Sequence, residues 1–309
     1  MEYCIYKLEF MNGVRFGSGT LNHTEITFHA DTFFAALFQE ALKLGKERTF
    51  LEMVENGKLL FSDAFPYKGK TYFIPKPIFQ PEVERKLEER GDSRKKKQLK
   101  NMKYIPYECV EFFMTGELPG KCMEDMKKLG SRAMKVSVGI SGNEEPMPYR
   151  VSAFYFQEGA GLYIILGYES QREYELFDSL LYSLSYSGLG GKKSAGLGRF
   201  EPLQVEIPEK MKHGIEKCGK YNLLLSTALP EDKELEKSLE QAYYGIIKRS
   251  GFVNSETYAS QQMKKRDLYV MNPGSCFKNR FSGQVVREQN GGEHPVYRYE
   301  KAMFLGVDV

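Results

Sequence analysis

The sequence predicts an α+β protein made of two consecutive units. Three observations carry this: an N-terminal stretch that alternates like a strand, two amphipathic helical patterns each followed by apolar strands, and a second strand–helix–strand run after a polar stretch at 208–219.

In residues 2–10, Tyr3, Ile5 and Lys7 fall on one face and Cys4, Tyr6 and Leu8 on the other. Both faces are largely apolar, as in an inner strand of a covered sheet. A Gly-, Ser- and Asn-rich loop follows at 12–27. A helix is expected to open near Asp31, with Asp31 as its cap, Phe34, Leu37, Phe38, Ala41 and Leu42 at helical spacing, and Gly45 as its stop. Short strands are expected at 58–62 and 71–74, and helical pieces at 107–114 and 123–129. A long hairpin is expected over 132–157 and an apolar strand at 162–167. A second helix carries Tyr174, Phe177, Leu180, Leu181 and Leu184 and ends at Gly188, and a strand runs over 199–207. This order reads as a βαββαβ, ferredoxin-like unit with an insertion. The expected domains are 1–207, with the insertion at 82–157, and 220–309. The second begins with a strand at 221–228 and a helix at 234–248. Strand-like stretches follow at 252–258, 267–271, 283–286, 296–299 and 302–307.

The chain has 309 residues, 41% of them hydrophobic, enough for a sizeable core and too many for global disorder. Net charge is only +3, so a polyanion site must come from local clustering. One cluster is segment 82–103, with nine Lys or Arg against five Asp or Glu. It reads equally as a solvated charge run or a contact surface. The five cysteines include no CxxC pair, so neither a disulfide framework nor a cysteine zinc site is expected, and reduced thiols are. His23 and His29 lack an indicated third ligand, so no metal and no other cofactor is expected. The N-terminus shows no signal-peptide pattern, and no run of 18 apolar residues exists, so a cytoplasmic protein without a membrane partner is expected.

The most informative stretch is Gly-Leu-Gly-Gly-Lys-Lys-Ser-Ala-Gly-Leu-Gly-Arg-Phe at 188–200. Glycines let a backbone approach a bulky partner and turn its amides toward it, and Lys192, Lys193 and Arg199 add charge. The candidate binding residues here are Gly190, Gly191, Lys192, Lys193, Ser194, Gly196, Gly198 and Arg199. Lys193 stands where a Walker loop has Ser or Thr, and Tyr186 where it has its first glycine. The stretch runs from helix to strand, the reverse of a dinucleotide fingerprint.

This pattern resembles the glycine-rich signature of the repeat-associated mysterious proteins (RAMPs) of CRISPR systems. Four further stretches narrow the resemblance to subunit four of the type III-A Csm complex. They are Phe-His-Ala-Asp-Thr-Phe-Phe at 28–34, Ser-Asp-Ala-Phe-Pro-Tyr at 62–67 with Pro-Lys-Pro at 75–77, Lys-Tyr-Ile-Pro at 103–106, and Asn-Pro-Gly-Ser-Cys-Phe at 272–277. Ala30 stands where that family is expected to have Ser. The resemblance implies two tandem ferredoxin-like, RRM-related domains. It also implies a non-catalytic subunit that holds the 5′ handle of crRNA and contacts the large polymerase-like subunit and the backbone subunit. The hairpin would be a thumb, with Tyr149 stacking on a base and Arg132, Lys135 and Arg150 on phosphates. Arg15, Phe16, Lys278 and Arg280 are further RNA-contact candidates. His29 is a candidate for hydrogen bonding to RNA. The rival reading makes His29 the general acid or base of a metal-independent endoribonuclease that processes CRISPR precursor RNA.

Overall fold

The structure is a computed structural model. It describes the whole chain except residues 18, 79–96, 98–100, 116–128, 140–146, 256, 290 and 309. Most of segment 82–103, the expected helix at 123–129 and the hairpin tip therefore lie outside the described residues.

Strand β1 (Glu2–Phe10) is followed by the short pair β2 (Phe16–Gly17) and β3 (Thr24–Glu25). Then come helices α1 (Ala30–Lys43) and α2 (Glu47–Glu55) and strands β4 (Leu59–Phe61), β5 (Phe65–Lys68), β6 (Thr71–Pro75) and β7 (Tyr104–Pro106). Helix α3 (Val110–Thr115), the hairpin β8 (Gly130–Gly139) and β9 (Met147–Phe156), strand β10 (Ala160–Tyr168), helix α4 (Gln171–Ser187) and strand β11 (Phe200–Val205) complete the first unit. Helix α5 (Glu209–Glu216) leads to β12 (Tyr221–Leu224) and α6 (Asp232–Leu239). Six strands close the chain: β13 (Ile246–Arg249), β14 (Leu268–Met271), β15 (Cys276–Phe277), β16 (Gly283–Glu288), β17 (Val296–Lys301) and β18 (Phe304–Val307).

The main sheet runs β11-β1-β10-β5-β6-β7, with β4 also on β10, and all its pairings are antiparallel. The last strand of the unit thus flanks the first. The two apolar faces of β1 serve two cores, as an inner strand requires. Cys4, Tyr6 and Leu8 join Phe33, Phe34 and Leu37 of α1 and Phe177, Leu180 and Leu181 of α4. Ile5 joins Tyr163 and Ile165 of β10 in a core completed by Met211 and Ile215 of α5 and by Leu223, Leu305 and Val307. The polar stretch 208–219 is therefore not bare linker: helix α5 seals the second core. A capping box between Ser170 and Glu173 starts α4, and Gly188 ends it.

The C-terminal unit comprises a three-stranded sheet, β15-β12-β18, and the ribbons β13-β14 and β16-β17. The helix expected over 234–248 stops at Leu239 because Gln241 takes φ +51°, and Ile246 and Ile247 pair with β14 instead. Among the described residues of 252–258 none lies in a strand; Phe252 makes an isolated bridge to Lys264. The units interlock: Tyr299 of β17 stacks on Phe61 at 4.1 Å, and its hydroxyl donates to the Phe61 carbonyl. Cys4, Cys218 and Cys276 are free thiols, whereas Cys109 is in a disulfide, which corrects the expectation of reduced cysteines throughout.

Candidate nucleic-acid interface

The glycine-rich loop leaves α4 at Gly188 and folds back on the loop after β1. The amide of Gly191 donates to the Arg15 carbonyl at 2.8 Å and that of Gly198 to the Gly13 carbonyl at 3.0 Å. A Cβ on Gly198 would lie 2.0 Å from the Leu189 carbonyl oxygen, and one on Gly190 would lie 2.4 Å from that of Arg15. At these two positions close packing excludes any side chain. The amides of Gly191 and Gly198 thus turn inward, onto carbonyls of the protein itself. What the loop presents outward is the 3-10 turn Lys193–Ala195, with Lys193, Ser194 and Arg199 exposed. Lys192 sits at φ +61° with its ammonium 5.0 Å from the centre of the Tyr149 ring.

Tyr149 comes from the hairpin. The register opposes Ser137 to Tyr149, Lys135 to Val151, Val136 to Arg150 and Arg132 to Phe154. Strand alternation then puts Lys135 and Tyr149 on one face and Arg132 and Arg150 on the other. The first of these faces meets the glycine loop, through Tyr149.

Arg15 and Phe16, expected as RNA contacts, lie within the protein. Arg15 is buried, its guanidinium donating to the Thr20 carbonyl at 2.8 Å, and Phe16 packs edge-on against Phe28 in the first core. They support the loop from behind. Arg280, also expected as an RNA contact, donates to Asn222 and to the Ile215, Gly214 and Lys217 carbonyls, satisfying the C-terminal end of α5. Lys278 lies over the Tyr221 ring at 3.8 Å, and its carbonyl accepts from Asn222, the residue that Arg280 also holds.

Between the two units lies a cleft of about 640 Å³. Its walls include Thr27, His29, Lys76, Lys103, Tyr104, Gly190, Lys248, Arg249 and Asn272. Among the described residues, Lys103, Lys248 and Arg249 of its walls each form an ion pair. Lys103 pairs with Glu25 at 3.0 Å and Lys248 with Asp267 at 3.3 Å, both with exposed partners that hold them weakly. Arg249 instead grips Asp31 with two bonds, of 2.9 and 2.7 Å. Burial alone would raise the Asp31 carboxyl; Arg249, helped by His29 and Lys265, outweighs it and holds the group down at about 2. Asp31 is thus an inter-unit clamp and not the helix cap.

The cap comes from elsewhere in the chain. Asp63 Oδ1 accepts from the amide of Ala30 at 2.8 Å, at the start of α1, and from the amide of Thr227 at 3.0 Å in the second unit. Its other oxygen meets His29 Nδ1 at 2.5 Å, and its own amide donates to the Leu225 carbonyl. One buried carboxylate thereby fixes both cleft walls and the orientation of His29. Sequence reasoning missed Asp63, Arg249, Lys76, Lys103 and Lys248 as site residues. The usable signal was that Asp63, Lys76 and Lys103 all sit inside the quoted motifs. Among the described residues no cluster of three metal-ligating side chains occurs.

Comparison with known proteins bears on these motifs. The chain is 33% identical over 99% of its length to the CRISPR system Cms protein Csm4 of Mycobacterium tuberculosis, covering 98% of that protein. It is 34% identical to that of Streptococcus thermophilus, over 100% of both chains. The chain belongs to the Csm4 family. The family model of the CRISPR Csm4 C-terminal domain matches residues 217–307. Solved Csm4 structures share the fold. A Csm3-Csm4 subcomplex of the type III-A CRISPR-Cas interference complex matches with a TM-score of 0.68 at 19% identity, covering 99% of each chain. A Csm1-Csm4 cassette in complex with AMPPNP matches with a TM-score of 0.63 at 22% identity, covering 99% of this chain and 98% of that one.

Proposed function

We propose that this chain is a non-catalytic, crRNA-binding subunit of a cytoplasmic type III-A Csm effector. It holds the repeat-derived 5′ handle of crRNA in the inter-unit cleft and anchors the large polymerase-like subunit and the backbone subunit. One observation carries this reading. The motif stretches at 28–34, 75–77, 103–106 and 272–277 are far apart in sequence, yet each lines one cleft, and the glycine-rich loop joins them through Gly190. Lys76, Lys103 and Lys248 supply charge for phosphates, and His29, Tyr104 and Asn272 supply polar edges for bases. Association with the other subunits follows from the Csm1 and Csm3 partners of the solved relatives. Among the described residues no helix is long and apolar enough to cross a membrane.

The β11-β1-β10-β5 order, with α1 and α4 on one face, supports a ferredoxin-like N-terminal domain over 1–207 with its insertion at 82–157. The unit over 220–309 is then a divergent second copy, and the β8–β9 hairpin a thumb beside the glycine loop. The test is salt-dependent binding of repeat-derived RNA. Replacing Lys192, Lys193 and Arg199 by alanine should weaken binding and flatten its dependence on salt, by about 0.7 in log–log slope for each phosphate no longer neutralised. Unchanged affinity and slope would remove the loop from the interface.

A second reading has one observation in its favour: Asp63 orients His29 as a carboxylate orients a general base. Incubating the chain with repeat RNA in EDTA separates the two. Specific cuts that disappear in His29→Ala would make the chain an endoribonuclease.

A further inference from the structure

We infer that the outer face of the β13–β14 ribbon is a stacking platform for one or two unpaired nucleotides, carrying the RNA path out of the cleft. This rests on the cleft being an RNA groove.

In the ribbon, Lys248 stands directly opposite Tyr269 and Ile246 opposite Met271. Strand alternation therefore places Ile246, Lys248, Tyr269 and Met271 on one face and Ile247, Arg249, Leu268 and Val270 on the other. The second face turns inward: Val270 is 1% exposed, and Arg249 clamps Asp31. On the first face Met271 is buried at the end that packs into the second unit, but Ile246 and Tyr269 are open to solvent, 56% and 61% exposed. Burial in the protein's own core thus does not account for an aromatic ring and a β-branched side chain at these positions.

Lys248 ties this face to the cleft, because it both lines the cleft and faces Tyr269 across the ribbon. Its partner Asp267 is 40% exposed, so the pair yields readily to a phosphate. An open ring beside a cation, continuous with a cationic groove, suits a splayed base with its phosphate alongside. A protein partner would call for a broader apolar centre with a polar rim. On this face of the ribbon the open apolar groups are Ile246 and Tyr269, too few for such a centre.

The experiment uses the full chain and single-stranded repeat-derived RNA. Tyr269→Ala should weaken binding about 10-fold through lost stacking, with the salt slope unchanged because stacking is not ionic. Tyr269→Trp should retain or tighten binding, and the alanine variant should no longer protect one or two nucleotides at one end of a hydroxyl-radical footprint. Wild-type binding by Tyr269→Ala, alongside weakened binding by Lys76→Ala/Lys103→Ala, would overturn the platform and leave the cleft standing. Wild-type binding by both variants would remove the cleft as well. Normal RNA binding by Tyr269→Ala with failed association of another Csm subunit would make the face a protein-docking surface and overturn the platform too.

Discussion

The glycine-rich loop and the inter-unit cleft are built in opposite ways. In the loop, thirteen consecutive residues at 188–200 form one local object, and its glycines serve the protein's own packing against Gly13 and Arg15. In the cleft, single residues arrive from six or more separate stretches of both units, and Asp63 and the Asp31–Arg249 pair hold its walls. A contiguous motif is conspicuous whether its purpose is structural or binding. A dispersed site becomes visible only when the chain is folded. The loop is thus the support of one end of the cleft, with Lys193, Ser194 and Arg199 as its outward contribution.

Four variants break or sharpen this contrast. The largest effect is expected from Asp63→Ala, which leaves the amides of Ala30 and Thr227 without their buried acceptor and releases His29. A loss of about 3–5 kcal/mol in urea-induced unfolding is expected, with Asp63→Asn losing less because it keeps an acceptor. Next is Lys76→Ala/Lys103→Ala/Lys248→Ala. This change should lower the slope of RNA affinity against salt by about 2 while leaving stability near wild type, since the side chains are surface groups. Gly198→Ala, in the loop, should act the other way round. Its Cβ cannot coexist with the Leu189 carbonyl at 2.0 Å, so a stability loss of about 1–3 kcal/mol is expected, with RNA affinity falling as a consequence. If Gly198→Ala instead bound RNA poorly at full stability, the glycines would be contact residues after all.

The smallest effect concerns Glu300, which is fully buried behind the Asp31–Arg249 clamp with neither carboxylate oxygen hydrogen-bonded. Burial, reinforced by Asp31, pushes its carboxyl well above the ordinary range, against the pull of Arg298 and Arg249. A carboxyl raised in the folded state binds its proton there while the unfolded chain has released its own. Stability therefore falls as pH rises from the unfolded value toward the folded one. Glu300→Gln should remove that decline and leave the protein more stable at neutral pH by about 1–2 kcal/mol. Urea midpoints at pH 5 and pH 7.5 measure it; a variant that is less stable at pH 7.5 would show that the charge is used.

Much of the first unit was legible in sequence. Period-2 apolar alternation marked β1, and helical spacing with a terminal glycine marked α1 and α4. These signals are local, and the cores they serve agree with them. Where spacing misled, a distant or single-residue effect decided. Asp31 looked like a cap because capping residues sit at helix starts, but Arg249, far along the chain, claims its carboxylate, and Asp63 supplies the cap. The helix expected through residue 248 was undone by one left-handed residue, Gln241, and by β14 offering Ile246 and Ile247 a partner. Arg15, Phe16 and Arg280 are cationic or aromatic residues near glycine turns, as RNA contacts often are. The burial of Arg15 and Phe16, and the hydrogen bonds of Arg15 and Arg280 to backbone carbonyls, could not be read from spacing.

The central claim is that the cleft between the units carries the RNA, and a crosslinking map of the chain reconstituted with crRNA tests it most directly. Crosslinks are expected at His29, at Lys76, at Lys103 and Tyr104, around Lys193 and Ser194, and at Lys248, with none at Arg15, Phe16 or Arg280. Crosslinks confined to residues outside the cleft, or centred on Arg280 and Lys278, would contradict it.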